Sequence, residues 1–560
     1  MTCVILNRRP APAALTSLCD GLLRLDSAFS SARVVKCPLL LASALFVSLL
    51  FPVDNAAQKS SDTLSANIQK ILDRPEYKHA DFGIEFYDLA TNTVLYSLNS
   101  DKLFVPASTT KLLSEGALLA TLGKDYRFHT AIFRTGAIEK NGRLKGGLIL
   151  VASGDPNISN RIQPDNTLAF VDEDHSYGGP ALPGDPLAVI KSLANQVHAR
   201  GIRRIDGPII IDTTLFPDGP REGGTNVVMS SIMVNDNVID IVAKPGAKPA
   251  DPVTLSVSPQ TGYVHIINHS VTTPAGTPPV FEDPVFTANP DSSINITLTG
   301  TLPLGIEPQT ISIGVPSPTV FAEWVLREAL SAEGVELKSP IVTTQPDFAP
   351  LVHNYTTDNQ VAEQVSLPLA EEIKVTLKVS QNLHAGMAPY LLGAISGKDT
   401  SNPLKKGFEI ERAFIRSANL DLSGASQGDG AGGDWADLFS PDFICHYLAY
   451  WTTRPDYDVL FHALPVLGKD GTLVKIQQQN PGAGHVFAKT GTFGSEDRLN
   501  NRMMLNGKGL AGYVITKSGR KLAFAAYVNH VSLPSSEDSA QAVAGQALGE
   551  IAASAYDAGL

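Results

Sequence analysis

Residues 104–123, FVPASTTKLLSEGALLATLG, decide how the chain is read. Ser108 follows Pro-Ala, Gly123 is a stop signal, and Leu112, Leu113, Ala117, Leu119 and Ala120 recur with a helical period. The pattern predicts a helix that opens on Ser108 and ends at Gly123. Lys111 then admits two readings. It is a solvated side chain in a first turn capped by Ser108, or it is an amine within reach of the Ser108 hydroxyl, because residues three apart share a helix face. A Ser-x-x-Lys pair arises about two or three times by chance in a chain of this size and composition. The pair therefore needs support from elsewhere.

The flanking sequence predicts the fold. Residues 82–102, FGIEFYDLATNTVLYSLNSDK, read as a hairpin turned at ATNT that feeds directly into the Ser108 helix, after a short helix in DTLSANIQKILDR. Near the other end, HVFAKTGTF, GLAGYVITKS and RKLAFAAYVNHV read as three strands in series, followed by an amphipathic helix, SAQAVAGQALGEIAASAYD. Joined, these segments predict an α/β (α+β) domain with one antiparallel sheet flanked by helices. From about residue 140 to 315 the texture is β-rich and broken by proline, as in GPIIIDTTLF, VTLSVSP and INITLTGTL. The expected organisation is a catalytic domain over 59–150 and 316–560, with one or two mainly β modules inserted at 151–315. The helix PTVFAEWVLREALSAEG at 318–334 is expected to return the chain to the first domain.

Composition excludes several functions. The 560 residues carry 44 Lys+Arg against 56 Asp+Glu, and no basic stripe suits a phosphate backbone, so no nucleic-acid partner is expected. Residues 38–53, PLLLASALFVSLLFPV, form an apolar run behind Arg33 and Lys36, which suits an export signal or uncleaved signal anchor within 1–58. The expected location is the periplasm or another extracytoplasmic compartment, with membrane association through 38–53. Cys3, Cys19 and Cys37 belong to that leader, leaving Cys445 with no partner for an internal disulfide. Cys445 and the twelve histidines show no metal-ligand spacing, and no glycine-rich nucleotide loop follows a strand. No cofactor or metal is expected.

Three short motifs occur in the order an active-serine acyl transfer requires: Ser108-Thr109-Thr110-Lys111, Ser380-Gln381-Asn382, and Lys489-Thr490-Gly491 on a predicted strand. A serine hydroxyl needs an adjacent base, and Lys111 serves only as a neutral amine. Burial and a second cation, Lys489, both favour that state. Ser380 can relay a proton to a leaving nitrogen, and Asn382 can hold Lys111 and a substrate carbonyl. Lys489, Thr490 and Thr492 suit a substrate with a terminal carboxylate. The backbone N–H groups of Ser108 and Thr492 are the expected oxyanion hole. His384 reads as a packing histidine, and Gln381 is expected to point away from the chemistry.

With these motifs, and with VPASTTKLL, LILVASGDP, VNDNVIDIVAKPG, LPLAEEIKVTLKVSQNLHAG, GDGAGG and ALPVLGKDGTL, the chain resembles the low-molecular-mass class C penicillin-binding proteins from about residue 65 onward. That family comprises D-alanyl-D-alanine carboxypeptidases and endopeptidases. The resemblance implies a β-lactamase/transpeptidase-like fold with extra domains between the first two motifs. It also implies hydrolysis of peptidoglycan peptides through a Ser108 acyl-enzyme, acylation by β-lactams, and an Asp155 contact to the free amine of a diamino acid, although from the residues alone Asp155 in SGDP reads as a turn residue. GDGAGG departs from the usual DGSGLSR-like segment, and SEDRLNNRMMLNGKG lengthens the stretch after Lys-Thr-Gly-Thr, which is expected to reshape the rim of the cleft. The competing readings are a serine β-lactamase and a catalytically silent wall-binding protein.

Overall fold

Period-two alternation in the C-terminal strands sets the layers of the catalytic unit. In the strand Lys521–Asn529, Leu522, Phe524, Ala526 and Val528 enter one core while Ala523, Ala525 and Tyr527 enter another. A strand buried on both faces belongs in the middle of a sheet. In the computed structural model, which describes residues 55–342, 344–533 and 540–560, it lies there. The sheet runs Thr93–Leu98, Asp81–Asp88, Lys521–Asn529, Arg502–Ile515, Val486–Asp497, and these pairs are all antiparallel. The N-terminal hairpin and the three C-terminal strands thus complete one sheet, as their sequence suggests.

Helices cover both faces. Asn55–Leu72 and Gln546–Asp557 close the side holding Ile84, Phe86 and Phe524. The other side receives a helical layer that includes Lys111–Leu122, Leu369–Val379, Asn382–Leu391 and Pro441–Trp451. Leu112, Leu113, Leu118 and Leu119 are each at most 2 % exposed. Burial on that scale contributes roughly 1.5–3 kcal/mol per side chain. The Ser108 helix therefore sits in the centre of the domain.

The inserted unit is wider than the expected 151–315, and it contains helices. Ile132, Leu148 and Leu150 share a core with Ile190, Leu193, Phe321, Leu326 and Val361. The strands Gln360–Val365, His129–Arg134, Leu148–Val151 and Ile209–Asp212 form one sheet, packed with the helices Ala188–Ala199 and Pro318–Ala332. The helix at 318 consequently stays in the insertion instead of returning to the catalytic domain. The physical closure is a neck: Val365 pairs with His129, and Phe128 N–H donates to Ser366 Oγ at 2.8 Å. A second, purely β group follows within the insertion, in which Thr254–Ser258, Val238–Lys244 and Gln309–Gly314 pair antiparallel.

The expected export segment at 38–53, and Cys3, Cys19 and Cys37, lie outside the described residues. Among the described residues, no helix is long and apolar enough to cross a membrane. Cys445 is a free, buried thiol.

Candidate active site

The nucleophile segment begins as a tight turn, not as the Ser108-capped helix predicted from sequence. Ala107–Thr110 is a 3-10 turn that passes into the helix Lys111–Leu122, and no side chain caps either start. Ala107 holds φ at 46°, a left-handed value for a residue with a Cβ. The Ser108 hydroxyl is left free for Lys111, whose Nζ lies 2.7 Å away. Gly123 ends the helix as expected, at φ 84° with its N–H on Leu119 O.

Lys111 is fully buried and has three oxygens around its nitrogen: Ser108 Oγ at 2.7 Å, Asn382 Oδ1 at 2.7 Å and Ala431 O at 2.9 Å. As an ammonium it donates to all three. As a neutral amine it has two N–H bonds and one lone pair. Asn382 and Ala431 can take both N–H bonds, which leaves the lone pair facing the Ser108 O–H. Burial lowers the Lys111 pKa to about 8, against the opposing pull of Glu222, Asp429, Glu115 and Asp437. Glu222 and Asp429 line a cavity of about 270 Å³ behind Ala431.

The loop 428–433, GDGAGG, supplies the carbonyls. Asp429 gathers the N–H groups of Ala431 at 2.8 Å, Gly432 at 2.6 Å and Gly433 at 3.0 Å, so the loop turns its oxygens inward. Ala431 O meets Lys111, and Gly430 O accepts from Ser114 Oγ at 2.7 Å. Gly432 is required here, with φ at 90° and a site where a Cβ would fall 2.0 Å from Ala107 O.

The second and third motifs meet the first. Ser380 stands at the end of the helix Leu369–Val379, and its Oγ accepts from Lys489 Nζ at 2.8 Å. Lys489 is enclosed on the strand Val486–Asp497 and also donates to Thr490 O at 2.9 Å. Burial, then Lys111 and Lys508, hold its amine well below the usual lysine range. Thr490 Oγ1 donates to Thr472 Oγ1 at 2.8 Å. Gly491 lets the strand run under the nucleophile turn, because a Cβ there would lie 2.2 Å from Pro106 O. Ser108, Lys111, Ser380, Asn382, Lys489, Thr490, Gly491 and Thr492 are thus gathered in one place.

Asp155 is not brought to the cleft in a form that meets substrate. It is 0 % exposed; its Oδ1 accepts the Asn157 N–H at 2.9 Å, and its Oδ2 has no partner. Burial raises its pKa to about 7. Asp155 is an enclosed turn residue, which corrects its expected amine contact. Gln381 turns away from the reacting groups as expected. His384 is buried beside it, with Nε2 on Asp236 Oδ1 at 2.9 Å and Nδ1 2.8 Å from Glu372 Oε1 outside hydrogen-bond geometry.

Sequence reasoning missed Lys508. It pairs with Thr492 across the sheet, donates to Thr492 Oγ1 and to Gln541 Oε1, and is 2 % exposed. The available signal was a lone charge between glycines in NGKGLAGYVI, a stretch that otherwise reads as buried strand. The segment after Thr492 that was expected to reshape the rim extends this hairpin, with a bulge between Phe493 and Gly494.

Comparison with known proteins identifies the family and the fold. The profile of the D-Ala-D-Ala carboxypeptidase 3 (S13) family matches residues 64–548. The D-alanyl-D-alanine carboxypeptidase of Actinomadura sp. (strain R39) is 26 % identical over 524 residues, covering 90 % of this chain and 87 % of the relative. The crystal structure of penicillin binding protein 4 (dacB) from Haemophilus influenzae shares the fold, with a TM-score of 0.66, 20 % identity, and coverage of 88 % of this chain and 98 % of that one. A second structure of the same protein, complexed with a novel β-lactam, has a TM-score of 0.67 at 20 % identity, again covering 88 % and 98 %.

Proposed function

The chain belongs to the D-Ala-D-Ala carboxypeptidase 3 (S13) family, and from that premise we propose that it is a serine carboxypeptidase hydrolysing the terminal D-Ala-D-Ala bond of peptidoglycan stem peptides. The observation that carries this reading is the buried Lys111 amine, 2.7 Å from Ser108 Oγ and held by Asn382 and Ala431. Neutral Lys111 takes the Ser108 proton as Oγ attacks the carbonyl of the penultimate D-alanine. The N–H groups of Ser108 and Thr492 receive the oxyanion. As the C–N bond breaks, Ser380, hydrogen-bonded to Lys489, gives its hydroxyl proton to the departing D-alanine amine and is reprotonated from the Lys111 ammonium, which returns to the neutral amine. Water, activated by Lys111, then cleaves the ester and frees Ser108.

Lys489 and Lys508, buried beside Thr490 and Thr492, supply N–H and O–H donors that fit a substrate ending in a carboxylate. A β-lactam presents a carboxylate beside a strained amide and acylates the same serine, which agrees with the β-lactam complex of the structural relative. The apolar run 38–53 supports export to an extracytoplasmic compartment and retention at the membrane if it is not cleaved.

Incubation with a stem pentapeptide ending in D-Ala-D-Ala tests the reading. The expected result is release of one D-alanine by the wild type and none by Ser108→Ala. An inert peptide combined with rapid penicillin turnover would instead mark a β-lactamase.

A further inference from the structure

The turn that carries Ser380, Gln381 and Asn382 is held from outside the catalytic unit. Ser380 has φ 64° and ψ 36°, a left-handed conformation that a residue with a side chain keeps only where its surroundings fix it. The fixing groups come from residues 172–177, DEDHSY, of the inserted unit. The Tyr177 hydroxyl donates to Ser380 O at 2.6 Å. Gln381, fully buried, accepts the Leu383 N–H at 2.8 Å and donates from Nε2 to Ser176 Oγ and Asp174 Oδ1, each at 3.2 Å. On the same segment, Asp172 Oδ1 accepts the Gly471 N–H at 2.6 Å, beside the Thr472 that Thr490 contacts.

A buried charge hub anchors this segment. Arg161 Nη2 lies 2.7 Å from both Asp174 and Asp236. Asp236 also accepts from His175 Nε2 at 2.8 Å and from His384 Nε2 at 2.9 Å. His384 stands on the helix that begins with Asn382. The hub thus joins the inserted unit to the element that presents Asn382 to Lys111. A purely adhesive interface would not need to converge on the one backbone carbonyl belonging to Ser380.

We infer that the 172–177 segment is a positioning strap, in which Tyr177 and the Asp236 hub hold the Ser380–Asn382 turn where Ser380 meets Lys489 and Asn382 meets Lys111. Neither residue touches the reacting atoms; both act through the turn. The inserted unit is then part of the acylation machinery, an inference that rests on reading Ser108 and Lys111 as nucleophile and base.

The test is stopped-flow acylation of the full chain by a chromogenic cephalosporin, separating the acylation rate constant from the dissociation constant of the initial complex. Tyr177→Phe is expected to lower the rate constant about tenfold, the loss of one buried hydrogen bond, while leaving the dissociation constant within about twofold. Asp236→Asn is expected to act in the same direction. Tyr513→Phe is the stability control, since its hydroxyl also donates to a buried carbonyl, Leu448 O, at 2.9 Å. It should lower the melting temperature without changing the acylation rate constant. Wild-type kinetics in Tyr177→Phe, or an equal loss in Tyr513→Phe, would overturn the strap. An unacylated wild type would overturn the underlying nucleophile reading instead.

Discussion

At the scale of single residues, the account turns on the protonation of Lys111. With its pKa lowered to about 8 by burial, Lys111 is half neutral at that pH, and the neutral fraction saturates about one unit above it. The rate constant for Ser108 acylation should climb about tenfold between pH 6 and 7, reach half its plateau at about pH 8 and level off about one unit above that. Glu222 is the largest of the charges that oppose the shift, so Glu222→Gln should move the midpoint of this curve to lower pH; an unmoved or raised midpoint would contradict the electrostatics. Lys111→Arg, which keeps the cation but cannot lose its proton, should reduce acylation by about 10²–10⁴-fold, measured by the same kinetics. These residues were legible in the sequence because each motif is short and local, and their order along the chain is diagnostic. Asp155 reads from SGDP as a turn residue, which it is, and the amine contact came only from the family resemblance; nothing local distinguishes a carboxylate facing a cleft from one sealed inside a turn. Only neighbours far along the chain, such as Glu372 and His384, make that distinction.

At the scale of elements, close backbone approach governs the site. The nucleophile turn rests on the strand Val486–Asp497 at Gly491 and is overlaid by the 428–433 loop at Gly432. Gly491→Ala should force the strand away from Pro106 and lower acylation by about a hundredfold, the cost of displacing reacting groups by roughly 1 Å. Wild-type acylation in that variant would mean that the turn and strand are not in the contact described. The helix at 111–122 and the strand at 486–497 were legible from periodicity. The 3-10 turn at 107–110 was not, because Pro-Ala-Ser-Thr reads equally well as a capped α-helix start. What excludes the cap is the left-handed Ala107 and the Lys111 amine that takes the Ser108 hydroxyl, and both depend on tertiary packing.

At the scale of the whole molecule, two hydrophobic units meet across a buried set of charges. His384 belongs to it, with a pKa raised to about 10 by Glu372 and Asp236 against the opposing effect of burial. A histidine raised in the folded state stabilises fully below its unfolded pKa near 6.5, and that contribution is lost as pH rises through about 10. The stability gap between wild type and His384→Gln, from denaturant unfolding, should be about 3 kcal/mol at pH 6 and should narrow steadily toward pH 10. A gap independent of pH would mean that the imidazole is neutral. The existence of an insertion was legible from the change in texture after residue 140. Its limits were not, because the pairing of His129 with Val365 joins strands more than two hundred residues apart and leaves no local mark. The measurement that tests the central claim most directly is intact-protein mass analysis after exposure to a β-lactam, with peptide mapping of the adduct. One covalent adduct per chain on Ser108, forming faster as pH rises from 6 to 8 and absent from Ser108→Ala, is the predicted result; no adduct, or an adduct on another residue, would contradict it.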